Sequence, residues 1–145
     1  MKLVTKRFAA AMIFTFLLAQ GGAFAHEGES HDNEHKADAQ MQKLHHIMPM
    51  YAQAQAKIDE ALTTRDAAMI KAETGKILAT LPDLKNAQPH KNLKQIATFR
   101  KIASAFAGDV KKTAALAKAG DFGGAKNAFR FAQARCNECH QKFRD

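Results

Sequence analysis

Apolar residues recur every three or four positions along four segments of this chain, which is the spacing of amphipathic α-helices. The segments cover about residues 37–62, 66–81, 89–119 and 122–144. None of them alternates apolar and polar residues as a half-buried strand does. Four such helices with mostly short connections predict an all-α fold, an antiparallel four-helix bundle with up-down-up-down topology.

Capping and helix-breaking residues indicate where these helices end. Asp66 can cap the second helix, and Pro82 is expected to stop it, because proline lacks the amide hydrogen that a further turn needs. The segment 82–89 is then the longest connection. Gly120 is suited to end the third helix and Asp121 to cap the fourth. The third and fourth helices should therefore be joined by a tight turn.

The last predicted helix carries a C-x-x-C-H pattern, in which Cys136 and Cys139 are followed by His140. On a helix these three residues lie on one face, so both thiols and the imidazole point toward the same object. The pattern is the attachment signature of a c-type haem. A disulfide or half of a zinc site also uses C-x-x-C, but the chain has two cysteines and no accompanying βαβ unit. The sequence therefore predicts one covalently bound haem c.

Residues 1–25 have the parts of a secretory signal peptide. Basic residues begin the segment, residues 8–19 are apolar, and Ala23-Phe24-Ala25 forms an A-x-A cleavage site. The apolar run is too short to span a bilayer comfortably. We therefore expect export to a periplasm, cleavage, and no membrane span afterwards. Residues 26–36 are polar and rich in histidine and acid, which predicts a disordered tail before the bundle at 37–145.

The formal charge of the chain is +8, and removal of the signal peptide lowers it. A basic balance can favour nucleic acid, an acidic membrane surface or an acidic protein. Export and the dispersed basic residues argue against nucleic acid. We expect redox proteins as partners, which could carry acidic surfaces, although solvated helix faces explain the charge more simply. No nucleophile with a base and no phosphate-binding loop is visible, so the sequence predicts a carrier and not an enzyme.

The C-terminal part of the chain resembles the class II c-type cytochromes, the cytochrome c′ group. The C-x-x-C-H pattern lies on the last helix, an Ala-Gly-Asp-Phe turn at 119–122 opens that helix, and Phe143-Arg144 follows His140 by three and four residues. The resemblance implies that both cysteines form thioethers and that His140 is the proximal iron ligand. It also implies that Phe143 and Arg144 lie in the proximal pocket, and that a homodimer through the first two helices is an option.

The same resemblance places the sixth iron position on the first helix, at or near His45. High-spin members have an apolar residue there and bind nitric oxide or carbon monoxide, whereas low-spin relatives have a methionine and transfer electrons. This chain follows neither pattern, and Met41 and Met48 each lie one turn away. Pro49 beside them predicts a kink or a helix that restarts.

Three functions follow from these alternatives. We expect one of His45, Met48 and Met41 to bind the iron, which favours a periplasmic monohaem protein that acts in electron transfer. The alternative is a five-coordinate cytochrome c′ that binds nitric oxide or carbon monoxide. A third hypothesis is a haem-free exported protein that binds metal through its histidines and methionines.

Overall fold

The computed structural model of the protein describes residues 31–144, with side-chain positions from residue 39 onward. A short 3-10 turn, Leu93–Gln95, precedes the third of four α-helices. The helices are α1 (His31–Thr64), α2 (Ala67–Asn86), α3 (Ile96–Lys118) and α4 (Phe122–Phe143). No strand occurs among the described residues. The predicted all-α four-helix bundle is confirmed, whereas the predicted signal peptide at 1–25 lies outside the described residues.

The helices pack in chain order, α1 on α2, α2 on α3 and α3 on α4, while α1 and α4 touch at few points. Apolar side chains from all four helices form one core. Its fully buried members include Ile58, Ile70, Ile77, Val110 and Phe129. Removing this apolar surface from water is the main force that holds the bundle together. The sparse contact between α1 and α4 leaves space between these helices, and residues of both helices line the cavities there.

The predicted caps are present. The Asp66 side chain accepts a hydrogen bond from the Met69 amide at 2.9 Å, and Asp121 accepts one from the Gly124 amide at 2.8 Å. Gly120 has a φ of 81°, a left-handed conformation that glycine adopts without steric cost. The turn between α3 and α4 is therefore as tight as its sequence indicates.

The prediction that Pro82 ends the second helix is wrong, because α2 continues to Asn86. Proline removes only the hydrogen bond to the carbonyl of Leu78, and Pro82 itself is exposed. The extra turn buries Leu84 against the core and lets Lys43 pair with Asp83 at 3.1 Å. Burial of a leucine is worth about 1.5–3 kcal/mol, which offsets the lost hydrogen bond.

Two further boundaries differ from the prediction. The long connection is 87–92 and not 82–89, so α3 begins at Ile96 after the 3-10 turn. The first helix begins at His31, so residues 31–36 are helical where we expected a disordered tail. Helix formation is cooperative, and a helix anchored by a packed segment extends readily into adjoining residues. Residues 26–30 lie outside the described part of the chain, and α1 passes through Pro49 without restarting.

Candidate functional site

Helix α4 turns Cys136, Cys139 and His140 toward the inside of the bundle. Upstream on the same face, Ala125, Phe129 and Ala132 are buried, which fixes the rotation of the helix. The two cysteines are free thiols and only partly buried. The disulfide alternative is therefore not what the structure contains, and the predicted grouping of two thiols and one imidazole on one face is present.

Two adjoining cavities meet at this face, one of about 100 Å³ and one of about 340 Å³. Met48 on α1 and Cys139 and His140 on α4 line both of them. Cofactor pockets typically have volumes of roughly 300–1,000 Å³, so the pair has the size of such a site. The first cavity has mainly apolar walls, to which Tyr51, Ala52, Leu84, Ile102, Ala103 and Phe106 contribute.

Burial keeps the two thiols protonated. It raises the pKa of Cys136 to about 11, although the Gln55 amide, 3.8 Å from its sulfur, acts in the opposite direction. Burial also raises the pKa of Cys139 to about 11, with further contributions from the nearby Cys136 and Glu138. Among the described residues, no three or more histidine, cysteine or acidic side chains are grouped so that they could hold a metal ion.

The three candidates for the sixth iron position occupy different places. Met48 is half-buried and lines both cavities. His45 is exposed, lines only the second cavity and stacks on His90 with ring centroids 5.4 Å apart. Met41 packs against the core and lines neither cavity. The structure thus brings Met48 and His45 close to the space beside His140, and it does not bring Met41 there.

The two residues predicted for the proximal pocket lie next to His140. Phe143 is buried and meets Phe99 edge to face, with ring centroids 5.4 Å apart. Phe143 and Arg144 line the second cavity together with His140. The backbone amide of Arg144 donates a hydrogen bond to the carbonyl of His140 at 3.0 Å. Phe143 and Arg144 thus lie near His140, and their role in a proximal haem pocket stays a prediction.

Sequence reasoning missed two residues of the site. His90 lines the second cavity and stacks on His45, and its signal in the sequence was only its place after Pro89 in a connection. Arg135 lines the first cavity, with its guanidinium 3.5 Å from Asp109 and 3.3 Å from Glu138. Its position directly before Cys136 could have drawn attention to it.

The end of α4 is held by the connection 87–92. The Lys91 amide donates to the carbonyl of Phe143 at 3.2 Å, and the Asn92 side chain donates to the carbonyl of Lys142. Carbonyls in the last turn of a helix have no partner within the helix, so an outside donor stabilises that turn. The connection therefore fixes the turn that carries His140.

These residues fit a c-type haem. The two free thiols could bind vinyl groups, the imidazole could bind iron, and the apolar walls could bury a porphyrin. An all-α bundle with this donor set on its last helix has the arrangement expected of a haem-binding helical protein.

A comparison with protein families finds one family that matches the C-terminal part of the chain. The family described as Cytochrome C' matches residues 83–144, which include α3, α4 and the connection that caps α4. The resemblance to the class II c-type cytochromes is therefore confirmed, and the match supports a c-type haem cytochrome. No curated protein and no solved structure matches the chain. In the part that the structure describes, no helix is long and apolar enough to cross a membrane.

Proposed function

We propose that this protein is a periplasmic monohaem c-type cytochrome that carries electrons. In this proposal Cys136 and Cys139 hold one haem c covalently, His140 is the proximal iron ligand and Met48 is the sixth ligand. The bound haem supplies an iron that changes between the ferrous and ferric states. The observation that carries the proposal is the position of Met48, which lines both cavities together with His140.

Met48 is favoured over the other two candidates by its surroundings. A thioether ligand must reach the buried interior, and Met48 is half-buried between the cavities. His45 would have to leave its stacked position on His90 and enter the bundle from an exposed site. Met41 would have to leave its contact with the core and lies outside both cavities. A methionine as sixth ligand raises the reduction potential relative to a second histidine.

The largely apolar walls of the first cavity support an electron carrier because they would limit the contact of water with a bound haem. Ile102 and Phe106 on α3 and Leu84 on α2 are buried apolar residues that line it. The hydroxyl of Tyr51 is occupied, since it donates to the carbonyl of Ile77 at 3.2 Å. A dry, apolar environment around a haem is one of the means by which a protein adjusts its potential.

Export is the second part of the proposal. It is supported by the signal-peptide features of residues 1–25 and by the typical export of cytochromes c′. Covalent attachment of haem requires both thiols to be reduced, which is compatible with a structure in which no disulfide joins Cys136 and Cys139.

The test compares the ferric absorption spectra of Met48→Ala and two control variants. Removal of Met48 should abolish the methionine-to-iron charge-transfer band and lower the reduction potential. Met41→Ala removes a methionine about two turns away from Met48 on the same helix, and His45→Ala removes the competing imidazole. Both controls should keep the band. Loss of the band only in Met41→Ala, or a bis-histidine spectrum that disappears in His45→Ala, would contradict the assignment of Met48.

The alternative function is a five-coordinate cytochrome c′ that binds nitric oxide or carbon monoxide. It requires that Met48 stay away from the iron, so that the sixth position remains open to small molecules. A high-spin ferric spectrum in the wild-type protein, together with a spectral change of the ferrous form on addition of carbon monoxide, would establish this alternative. The haem-free alternative would require that the exported protein carry no haem at all.

A further inference from the structure

Positive charge is concentrated on the two C-terminal helices. Helices α3 and α4 together carry nine lysines and arginines against two acidic residues. The other half of the bundle carries five basic residues against four acidic ones, counted over residues 39–64 of α1 and the whole of α2. The half of the bundle that bears the C-x-x-C-H pattern is therefore strongly basic, whereas the other half is almost neutral.

The few acidic groups of the basic half are already engaged. Asp109 lies 3.5 Å from Arg135, and Glu138 lies 3.3 Å from Arg135 and 3.8 Å from Lys142. The other seven cations of α3 and α4 have no ion-pair partner within the described residues, and all are exposed. They are Arg100, Lys101, Lys111, Lys112, Lys118, Lys126 and Arg130. Their charge thus acts on the surroundings of the protein.

An exposed aromatic side chain lies within this basic half. Phe131 on α4 is 60% exposed, the largest exposed fraction among the large apolar side chains that the structure describes. It lines an open groove on the outer surface of α4 with Asn127, Arg130 and Ala134. Aromatic and arginine side chains are the residues that contribute most to binding energy at protein interfaces. Phe131 and Arg130 together therefore have the composition of an interface centre.

Neighbouring helix α3 adds to this surface. The contact between Arg135 and Asp109 sets the register of the antiparallel pair α3 and α4. Lys112 lies one turn along α3 from Asp109, and Phe131 lies one turn along α4 from Arg135, so an antiparallel register places the two residues at a similar level. Lys126 lies one turn before Arg130 on α4. Exposed cations of both helices thus belong to the same part of the bundle as the aromatic side chain, and an apolar centre with a charged rim is the usual arrangement of a transient protein interface.

We propose that the α4 docking surface, formed by Lys126, Arg130 and Phe131 with Lys112 of α3, binds a protein partner that carries clustered carboxylates. The inference deepens the proposed function, because the partner would be the redox protein with which this cytochrome exchanges electrons. Complementary charge steers such encounters and raises their rate. A membrane is a poorer occupant, since helices that lie on bilayers need a wide apolar face, and Phe131 is the only large apolar side chain exposed on α4.

The test measures binding of the haem-loaded full chain to a probe, a small ferredoxin with an excess of surface carboxylates, by calorimetry at low ionic strength. Arg130→Glu should weaken binding about tenfold or more, because it reverses a charge at the interface. Lys71→Glu makes the same change of charge at an exposed position of α2 and should weaken binding less than about threefold, through long-range charge alone. Added salt should weaken the wild-type complex and reduce the difference between the variants.

A second pair of variants tests the apolar centre. Phe131→Ala should weaken binding of the ferredoxin about tenfold, whereas Met69→Ala removes an exposed apolar side chain of α2 and should leave binding unchanged. Equal effects of Arg130→Glu and Lys71→Glu, or no effect of Phe131→Ala, would overturn the docking surface. It would also be overturned if Arg130→Glu abolished binding to vesicles of phosphatidylglycerol without affecting the ferredoxin.

The haem spectrum and the reduction potential of every variant are recorded first. All four substitutions lie outside the haem site, so these values should equal those of the wild type. A wild-type protein without haem would contradict the proposed function itself. Suppose that the spectra are normal, but Arg130→Glu and Phe131→Ala weaken ferredoxin binding no more than their control variants do. This result would contradict the docking surface alone.

Discussion

The side-chain amide of Asn92 donates a hydrogen bond to the backbone carbonyl of Lys142, 50 residues further along the chain. Asn92 has a φ of 59°, in the left-handed region that asparagine tolerates better than most residues. The adjacent amide of Lys91 donates to the carbonyl of Phe143. Through these two contacts, the α2–α3 connection stabilises the helical turn that contains His140.

Substitution of Asn92 tests this coupling. Asn92→Gly keeps the left-handed backbone but removes the donor, so the last turn of α4 should lose about 1 kcal/mol. Hydrogen exchange of the amides at 140–143 should become about fivefold faster, while the amides at 125–132 should be unaffected. Asn92→Ala should be more harmful, since it also adds about 1–2 kcal/mol of backbone strain. Unchanged exchange in Asn92→Gly would show that only the backbone conformation matters.

The surroundings of Glu73 indicate that the stability of the fold depends on pH. Its side chain is only 5% exposed and accepts a hydrogen bond from Lys76 at 2.7 Å, with Lys57 at 3.7 Å. The hydrogen bond from Lys76 lowers the pKa of Glu73 against the opposing effect of burial. A carboxylate with a lowered pKa stabilises the fold above its unfolded pKa, about 4.3, and loses this effect as the pH falls through the folded pKa.

Glu73→Gln should therefore lower the free energy of unfolding at pH 7 by about 1–2 kcal/mol. The effect is smaller than for a fully buried ion pair, because both lysines are half exposed and solvent screens their charges. The difference from the wild type should shrink when urea unfolding is repeated near pH 3. Glu60→Gln removes an exposed carboxylate of α1 and serves as the control, with little effect at either pH. A difference for Glu73→Gln that persists unchanged at low pH would contradict the charge-based explanation.

Two neighbouring glycines in the first turn of α4 differ in the space around them. A β-carbon added at Gly124 would lie within 3.2 Å of three atoms of the Asp121 side chain, the cap of the helix, whereas one at Gly123 would have its nearest contact at 3.7 Å. Gly123→Ala should stabilise the protein by about 0.5–1 kcal/mol, as expected for a helical glycine. Gly124→Ala should give no gain, because it displaces the cap, which is itself worth about 1 kcal/mol. Thermal unfolding of both variants checks this, and equal gains would contradict the role of Asp121.

Features that depend on neighbouring residues were predictable from the sequence. Asp66, Gly120 and Asp121 act within one turn of their own positions, so their types alone indicate where α2, α3 and α4 begin or end. The inward face of α4, with Cys136, Cys139 and His140, follows from helical periodicity in the same way. These local signals were sufficient to predict the bundle and the part of the site that lies on α4.

Features that depend on distant contacts were not predictable. The extension of α2 beyond Pro82 requires the burial of Leu84 and the pairing of Asp83 with Lys43 of α1. Which residue lies at the sixth iron position depends on the register of α1 against α4. Counting along the sequence fixes that register only to within one helical turn. The cavities that Met48 and His140 line together are formed by the packing of α1 against α4, which no local sequence signal encodes.

The mass of the exported protein after denaturing acid-solvent extraction shows whether haem is covalently attached to this chain. We expect a chain that begins at His26 and retains the mass of one haem, since both thioether bonds survive denaturation. Replacement of Cys136 and Cys139 by serine should remove that mass. A wild-type protein with the mass of the polypeptide alone would contradict the claim that this bundle holds a haem c.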